Sequence, residues 1–136
     1  MSIPAFSSAW ADAFLLAINS DPAYRHAGRS WKNPVALVVE PGDGMAHGAA
    51  IQADLEAGVC LSAAAVAPAE VSAPFVLSGN LAAWKDIVSG GSDPIMAVAR
   101  GKVKLTRGSL GALMLHANAA RALVVCAQQI DTQWPQ

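Results

Sequence analysis

The chain has 136 residues, 54% of them hydrophobic, and a formal net charge of −1. One domain spanning 1–136 with a real core is the expectation for that length. The apolar content excludes disorder, and the near-neutral charge offers nothing to draw in nucleic acid or an anionic membrane surface.

Residues 4–19 read as a helix with Phe6, Trp10, Phe14, Ala17 and Ile18 on one stripe. Ser20-Asp21-Pro22 stops it, and Tyr24 to Asn33 is polar, turn-rich and without clear period. Pro34 to Glu40 is a Val-rich buried strand, and Pro41-Gly42-Asp43-Gly44 is a turn. Strands follow at about 45–54 and 59–67, with a tight turn at Glu56-Ala57-Gly58. Such short connections imply an antiparallel meander. The inward residues of the last two strands are expected to be Ala49, Ile51 and Ala53, then Leu61, Ala63 and Ala65. So many alanines leave space that either closely approaching helices or a ligand must fill.

Residues 68–74 form a linker, and 73–78 a fourth strand carrying Phe75 and Leu77 on one face. A short helix over 81–89 takes Asn80 as N-cap, buries Trp84, Ile87 and Val88, and ends at Gly90-Gly91. Asp93-Pro94 opens another short helix with Ile95, Met96, Val98 and Ala99 on its apolar side. Lys102 to Leu105 alternates as a half-buried strand. With Ser109 as N-cap, a single last helix runs from Leu110 to about Gln129, with Leu110, Leu113, Met114, Ala117, Ala120, Val124 and Ala127 on its stripe. Its apolar core, Leu110 to Ala127, is interrupted by His116, Asn118 and Arg121, so no membrane span is expected. The element order predicts an α+β fold with helices layered on one sheet.

Little in the chain points to stand-alone catalysis. No nucleophile elbow, P-loop or dinucleotide motif occurs, and His26, His47 and His116 lack metal-ligand spacing. The expectation is therefore no catalytic residues, no metal and no cofactor. Cys60 and Cys126 sit in apolar surroundings and read as buried free thiols of a cytoplasmic protein. The N-terminus lacks the basic region of a signal peptide, and the C-terminus does not match the peroxisomal Ser-Lys-Leu address. Lys85, Arg100, Lys102, Lys104 and Arg107 cluster in sequence, as a solvated face or as partners for a headgroup or phosphate.

The stretch from Phe75 to Leu110 resembles the C-terminal signature of the sterol carrier protein 2 (SCP2) family. The residues are Phe75-Val76-Leu77-Ser78-Gly79-Asn80-Leu81, Trp84-Lys85, Gly90-Gly91-Ser92-Asp93-Pro94-Ile95, Gly101-Lys102-Val103-Lys104-Leu105 and Gly108-Ser109-Leu110. The first half of the chain fits only by its pattern of elements. Asn80 stands where Asp is usual, Ser92 replaces a common apolar residue, and Thr106-Arg107 lengthen the last strand. The resemblance implies an SCP2-like, five-stranded mixed sheet covered on one face by helices, with a hydrophobic tunnel between them. It implies binding or carrying of a lipid-like ligand such as a sterol, fatty acid or acyl-CoA. An accessory role in isoprenoid quinone synthesis is a variant of that reading. A protein-interaction module or homodimer, held together through the apolar last helix, is the alternative.

The expected cavity wall comprises Leu113, Met114 and Ala117 of the last helix, with Phe75 and Met96 opposite or nearby, and Leu77, Trp84, Ile95 and Leu110 completing it. Trp84, Met96 and Met114 fit ordinary core as readily as a ligand wall.

Overall fold

The computed structural model describes residues 2–42 and 44–135, so Asp43 of the expected 41–44 turn lies outside the described residues. A short strand β1 (Ile3–Pro4) leads into helix α1 (Ser8–Asn19), whose N-cap Ser7 accepts from the Trp10 N–H. Helix α2 (Pro22–Ala27) follows where the sequence showed no period. Its start carries the same Asp-Pro signal as residues 93 and 94: the Asp21 carboxylate accepts from the Ala23 N–H and Pro22 takes the first turn.

The meander is β2 (Val35–Val39), β3 (Ala49–Glu56) and β4 (Val59–Val66), antiparallel throughout. A 3-10 turn over Pro68–Glu70 leads to β5 (Phe75–Gly79), then α3 (Leu81–Val88), α4 (Pro94–Ala99) and β6 (Val103–Arg107). The predicted caps form: Asn80 accepts from the Ala83 N–H, and Asp93 from the Ile95 N–H. The sheet order is β4-β3-β2-β5-β6, with β2 and β5 parallel and all other pairs antiparallel. It is the five-stranded mixed sheet of an α+β fold.

The predicted last helix is two helices. Helix α5 (Leu110–Leu115) ends at His116, whose φ of −109° and ψ of 29° leave the helical region, and α6 (Ala117–Gln128) begins beyond it. No proline or glycine marks this break. The His116 ring instead bonds the Ala112 carbonyl, with Nδ1 3.0 Å from the oxygen, and packs edge-on against Trp31. A two-residue strand β7 (Thr132–Gln133) then pairs in parallel with β1, and Trp10 Nε1 donates to Thr132 Oγ1.

The main core lies between the sheet and the helices, with Trp10, Phe14, Ile18, Tyr24, Ile51, Leu55, Trp84 and Cys126 at its centre. Ala49, Ala53, Ala63 and Ala65 face it as expected. Leu61 does not. It is the extra residue of a bulge, since Ser62 pairs with Asp54 and Cys60 with Leu55, so Cys60 turns inward and Leu61 is 56% exposed. The Asn19 amide closes the gap: its Oδ1 accepts from the Cys60 N–H and its Nδ2 donates to the Cys60 carbonyl. The opposite face of the sheet is partly covered too. Ala36, Val38, Ala50 and Val76 pack there with Val71 and Ala73 of the connecting segment. Gln52 Oε1 accepts from the N–H groups of Ser72 and Ala73, and Arg107 donates to the carbonyls of Val71 and Ala73. The extra length of β6 is thus taken up by a register shift at Val76/Leu77, and Arg107 pins the connection.

Candidate functional site

Two small apolar cavities lie side by side between the sheet and the helices. The first, of about 50 Å³, is bounded by Tyr24, Trp31, Leu113, His116, Ala119 and Ala120. The second, of about 40 Å³, lies toward α3 and α4, among Phe14, Trp84, Val98, Val103 and Val124. Leu37, Leu77 and Leu123 line both and form the partition between them. Leu37 and Leu77 are direct partners across the parallel β2–β5 pair, so this part of the floor is set by register. Leu123 comes down from α6 on the opposite side.

Of the predicted wall, Leu77 lines both cavities, Leu113 the first and Trp84 the second. The Trp84 indole also donates to the Val38 carbonyl at 2.8 Å, which bolts α3 to β2. Phe75 stands behind the first cavity, its ring 4.7 Å from Trp31 and edge-on to it. Ile95 is buried but borders neither cavity. Met96, Leu110 and Met114 are at the surface, and Ala117 is half-buried at the start of α6 and lines neither cavity. The inward placement expected of Met114 and Ala117 is therefore corrected. The chain breaks at His116, and α6 turns a broad inner face to the core: Ala119, Cys126 and Ala127 are buried, Leu123 and Val124 pack half-buried beside them, and Ala120 lines the first cavity, so the predicted positions 120, 124 and 127 do face inward.

Sequence reasoning missed Tyr24, Trp31, Leu37, His116 and Leu123. Only the Asp21-Pro22 cap could have located Tyr24, by putting it on a short helix. Tyr24 is wholly buried, and its hydroxyl has no hydrogen-bond partner among the described residues. Leaving such a group unpaired costs about 1–3 kcal/mol. Burial, reinforced by the nearby Cys60 and Cys126 thiols, pushes its pKa up to about 12. A carbonyl can only accept, so the 3.0 Å contact with Ala112 puts the hydrogen of a neutral His116 ring on Nδ1. Nε2 is then an acceptor. No Asp, Glu, Lys or Arg lines either cavity.

A larger recess lies elsewhere and is of different character. It holds about 500 Å³, opens to solvent and is lined by Glu40, Asn80, Asp86, Ser92, Lys102 and Lys104 among others. Its mixed charge suits water and polar solutes.

No sequence-family model matches the chain, and no curated protein does. Solved structures do. The crystal structure of a sterol carrier protein 2 superposes with a TM-score of 0.89 at 37% identity, covering 93% of this chain and 98% of that one. The chain belongs to the sterol carrier protein 2 family. A conserved hypothetical protein of Thermus thermophilus, described as a possible sterol carrier protein, matches equally well, with a TM-score of 0.89, 34% identity, and coverage of 98% of this chain and 94% of its own. The Aedes aegypti sterol carrier protein-2, solved in complex with the C16 fatty acid palmitate, shares the fold alone, with a TM-score of 0.52, 15% identity, and coverage of 93% and 98%. In this SCP2 member the family resemblance seen in residues 75–110 extends through the first half of the chain. No helix among its described residues is long and apolar enough to cross a membrane.

Proposed function

We propose that this chain binds and carries one elongated apolar molecule, lodged between the sheet and α6 across both inner cavities. The observation that carries this reading is the pair of neighbouring apolar cavities whose walls share Leu37, Leu77 and Leu123. Family membership supports it, and the palmitate held by the mosquito protein is a guide to ligand size. As they stand, the cavities are far smaller than the roughly 300 Å³ or more of an ordinary small-molecule site. Binding therefore requires Leu123 to swing aside or α5 to lift, and α5 is a short helix exposed on much of its surface. Apolar burial contributes roughly 25 cal/mol per Å², enough for an aliphatic chain to drive that opening. The role is that of a carrier and not of an enzyme. Its compartment is the cytoplasm, where two buried free thiols are stable.

The test is titration of the folded protein with fluorescent long-chain amphiphiles. Saturable binding at micromolar concentration is expected. Ala120→Leu should weaken it several-fold while stability stays within about 1.5 kcal/mol of the parent, because the added carbons enter existing space. Probes that never saturate on a folded protein would overturn the proposal.

A second reading, an interaction module, is favoured by one observation. Leu110, Met114 and Leu115 are exposed together on α5, Leu115 by 81%. Native mass spectrometry of protein purified from cells separates the two. Co-purified lipid supports the carrier, and an empty stable dimer supports the module.

A further inference from the structure

Helix α4 is the lightest wall of the second cavity. Its Pro94 and Val98 close that cavity against Leu123, Val124 and Ala127 of α6. The other walls are strands of the sheet or the longer helices α1, α3 and α6. Glycines in the left-handed region stand on both sides of this six-residue helix, Gly90 with a φ of 92° and Gly101 with a φ of 74°. A Cβ at Gly101 would meet nothing within 4 Å, so glycine serves the backbone there and not packing. The segment is tied to α3, since Ser92 Oγ donates to the Asp86 carboxylate and the Gly91 N–H to the Asp86 carbonyl. Helix α3 is itself fixed, through Trp84 to β2 and through the Gln128 amide of α6 to the Ile87 carbonyl. Toward α6, residues 91–101 make one side-chain hydrogen bond among the described residues, from Arg121 Nε to Asp93 Oδ2 at 2.9 Å. Asp93 gives its two oxygens different tasks: Oδ1 caps α4 at the Ile95 N–H, and Oδ2 holds Arg121. Arg121 lies three residues before Val124 and so on the same side of α6, over the seam with α4.

Resting on the carrier reading, we propose that α4 is the door through which the ligand reaches the site, hinged on its α3 side and latched to α6 by the Asp93–Arg121 ion pair. A swing of Leu123 makes room inside but opens no path from solvent. Parting Pro94 and Val98 from α6 does both, because these side chains cover the cavity at that seam. The two glycines absorb the backbone rotation, and the ties to Asp86 set its axis. The latch suits this task in strength. A partly exposed ion pair is weak and is screened by salt, so it holds the door shut without preventing thermal opening. It re-forms once the ligand is inside, so it governs the rates of entry and exit more than the affinity. Arg121, which interrupts the apolar run of the last helix, thereby has a use that packing does not supply.

The experiment follows an uncharged probe, the methyl ester of a pyrene-labelled long-chain fatty acid, by stopped-flow fluorescence at neutral pH. Asp93→Asn keeps a capping side chain, as Asn80 does for α3, and removes the charge. Arg121→Gln removes the other partner. Each should raise the association and dissociation rates together by about threefold and change their ratio by less than about twofold. The double variant should be no faster than either single one, because the same contact is lost in all three. Raising the salt from about 0.05 M to about 0.5 M should speed exchange in the parent more than in the variants. A latch that serves only the fold would lower the urea midpoint and leave the rates unchanged. Unchanged rates, a change in dissociation alone, or additive effects in the double variant overturn the door and leave the carrier reading standing. Failure of the probe to saturate the folded parent overturns both.

Discussion

Trp84 concentrates several constraints in one side chain. Its ring is 3% exposed, it borders the second cavity, and its indole N–H is bonded to a strand carbonyl inside the core. Trp84→Ala should cost about 3–5 kcal/mol, since it empties a large volume next to existing space. Trp84→Phe keeps much of that volume and strands the Val38 carbonyl, at a cost of about 1–3 kcal/mol. Urea denaturation midpoints of the two variants separate packing from hydrogen bonding. A Trp84→Phe midpoint equal to that of the parent would show that the buried bond contributes nothing net. The residue's burial was legible from the capped helix around it. Its partner, 46 positions away in sequence, was not, because register between β2 and β5 is a tertiary outcome.

At the scale of elements, α6 decides the shape of the site. Leu123 is the one partition residue supplied by a helix, and it meets Leu37 and Leu77 of the sheet. Leu123→Ala should merge the two cavities and destabilise the protein by about 2–5 kcal/mol. The same change should tighten binding of a long apolar probe, because the space a ligand must otherwise open is already there. Calorimetric titration alongside thermal unfolding reads both effects. A destabilised variant whose probe affinity is unchanged would move the ligand out of this region. The break ahead of α6 could not be taken from periodicity alone. A continuous stripe from Leu113 through Ala117 satisfies the 3.6-residue repeat, and nothing in His116-Ala117-Asn118 is a helix breaker by propensity. The break is stabilised by the contact of His116 with Trp31, a residue from the opposite half of the chain.

Across the whole molecule, three titratable groups share the main core and are held neutral by burial. Cys60 is pushed up from 9.0 to about 11, Cys126 from 9.0 to about 12 with Asp21 adding to the effect, and Tyr24 from 10.0 to about 12. Each folded-state pKa is raised, so the unfolded chain loses its protons first as pH rises. The stabilisation is fully present below about pH 9 and is lost progressively toward about pH 12. Urea midpoints should therefore fall between about pH 8 and about pH 10.5, and Cys60→Ala with Cys126→Ala should flatten the slope. The same burial should keep both thiols unreactive toward alkylating reagents at neutral pH until the protein unfolds. Prompt labelling of the native protein would contradict the packing of Cys60 against Asn19 and of Cys126 against Asp21.

By itself the sequence determined the α+β class, the strand meander, the caps at Asn80, Asp93 and Ser109 and the alanine-rich face of the sheet. These depend on period, turn chemistry and local hydrogen bonds, which act over a few residues. It also carried the family likeness, in spaced motifs from Phe75 to Leu110. Tertiary structure alone decided the bulge that turns Cys60 inward and Leu61 out, the break at His116, and the pairing of β1 with β7. It also decided which apolar residues are wall and which are surface, moving Met96, Leu110 and Met114 outside and bringing Tyr24, Leu37 and Leu123 in. The physical reason is the same in each case. Apolar composition says that a side chain seeks burial, but the space available to it is set by elements far away in the chain.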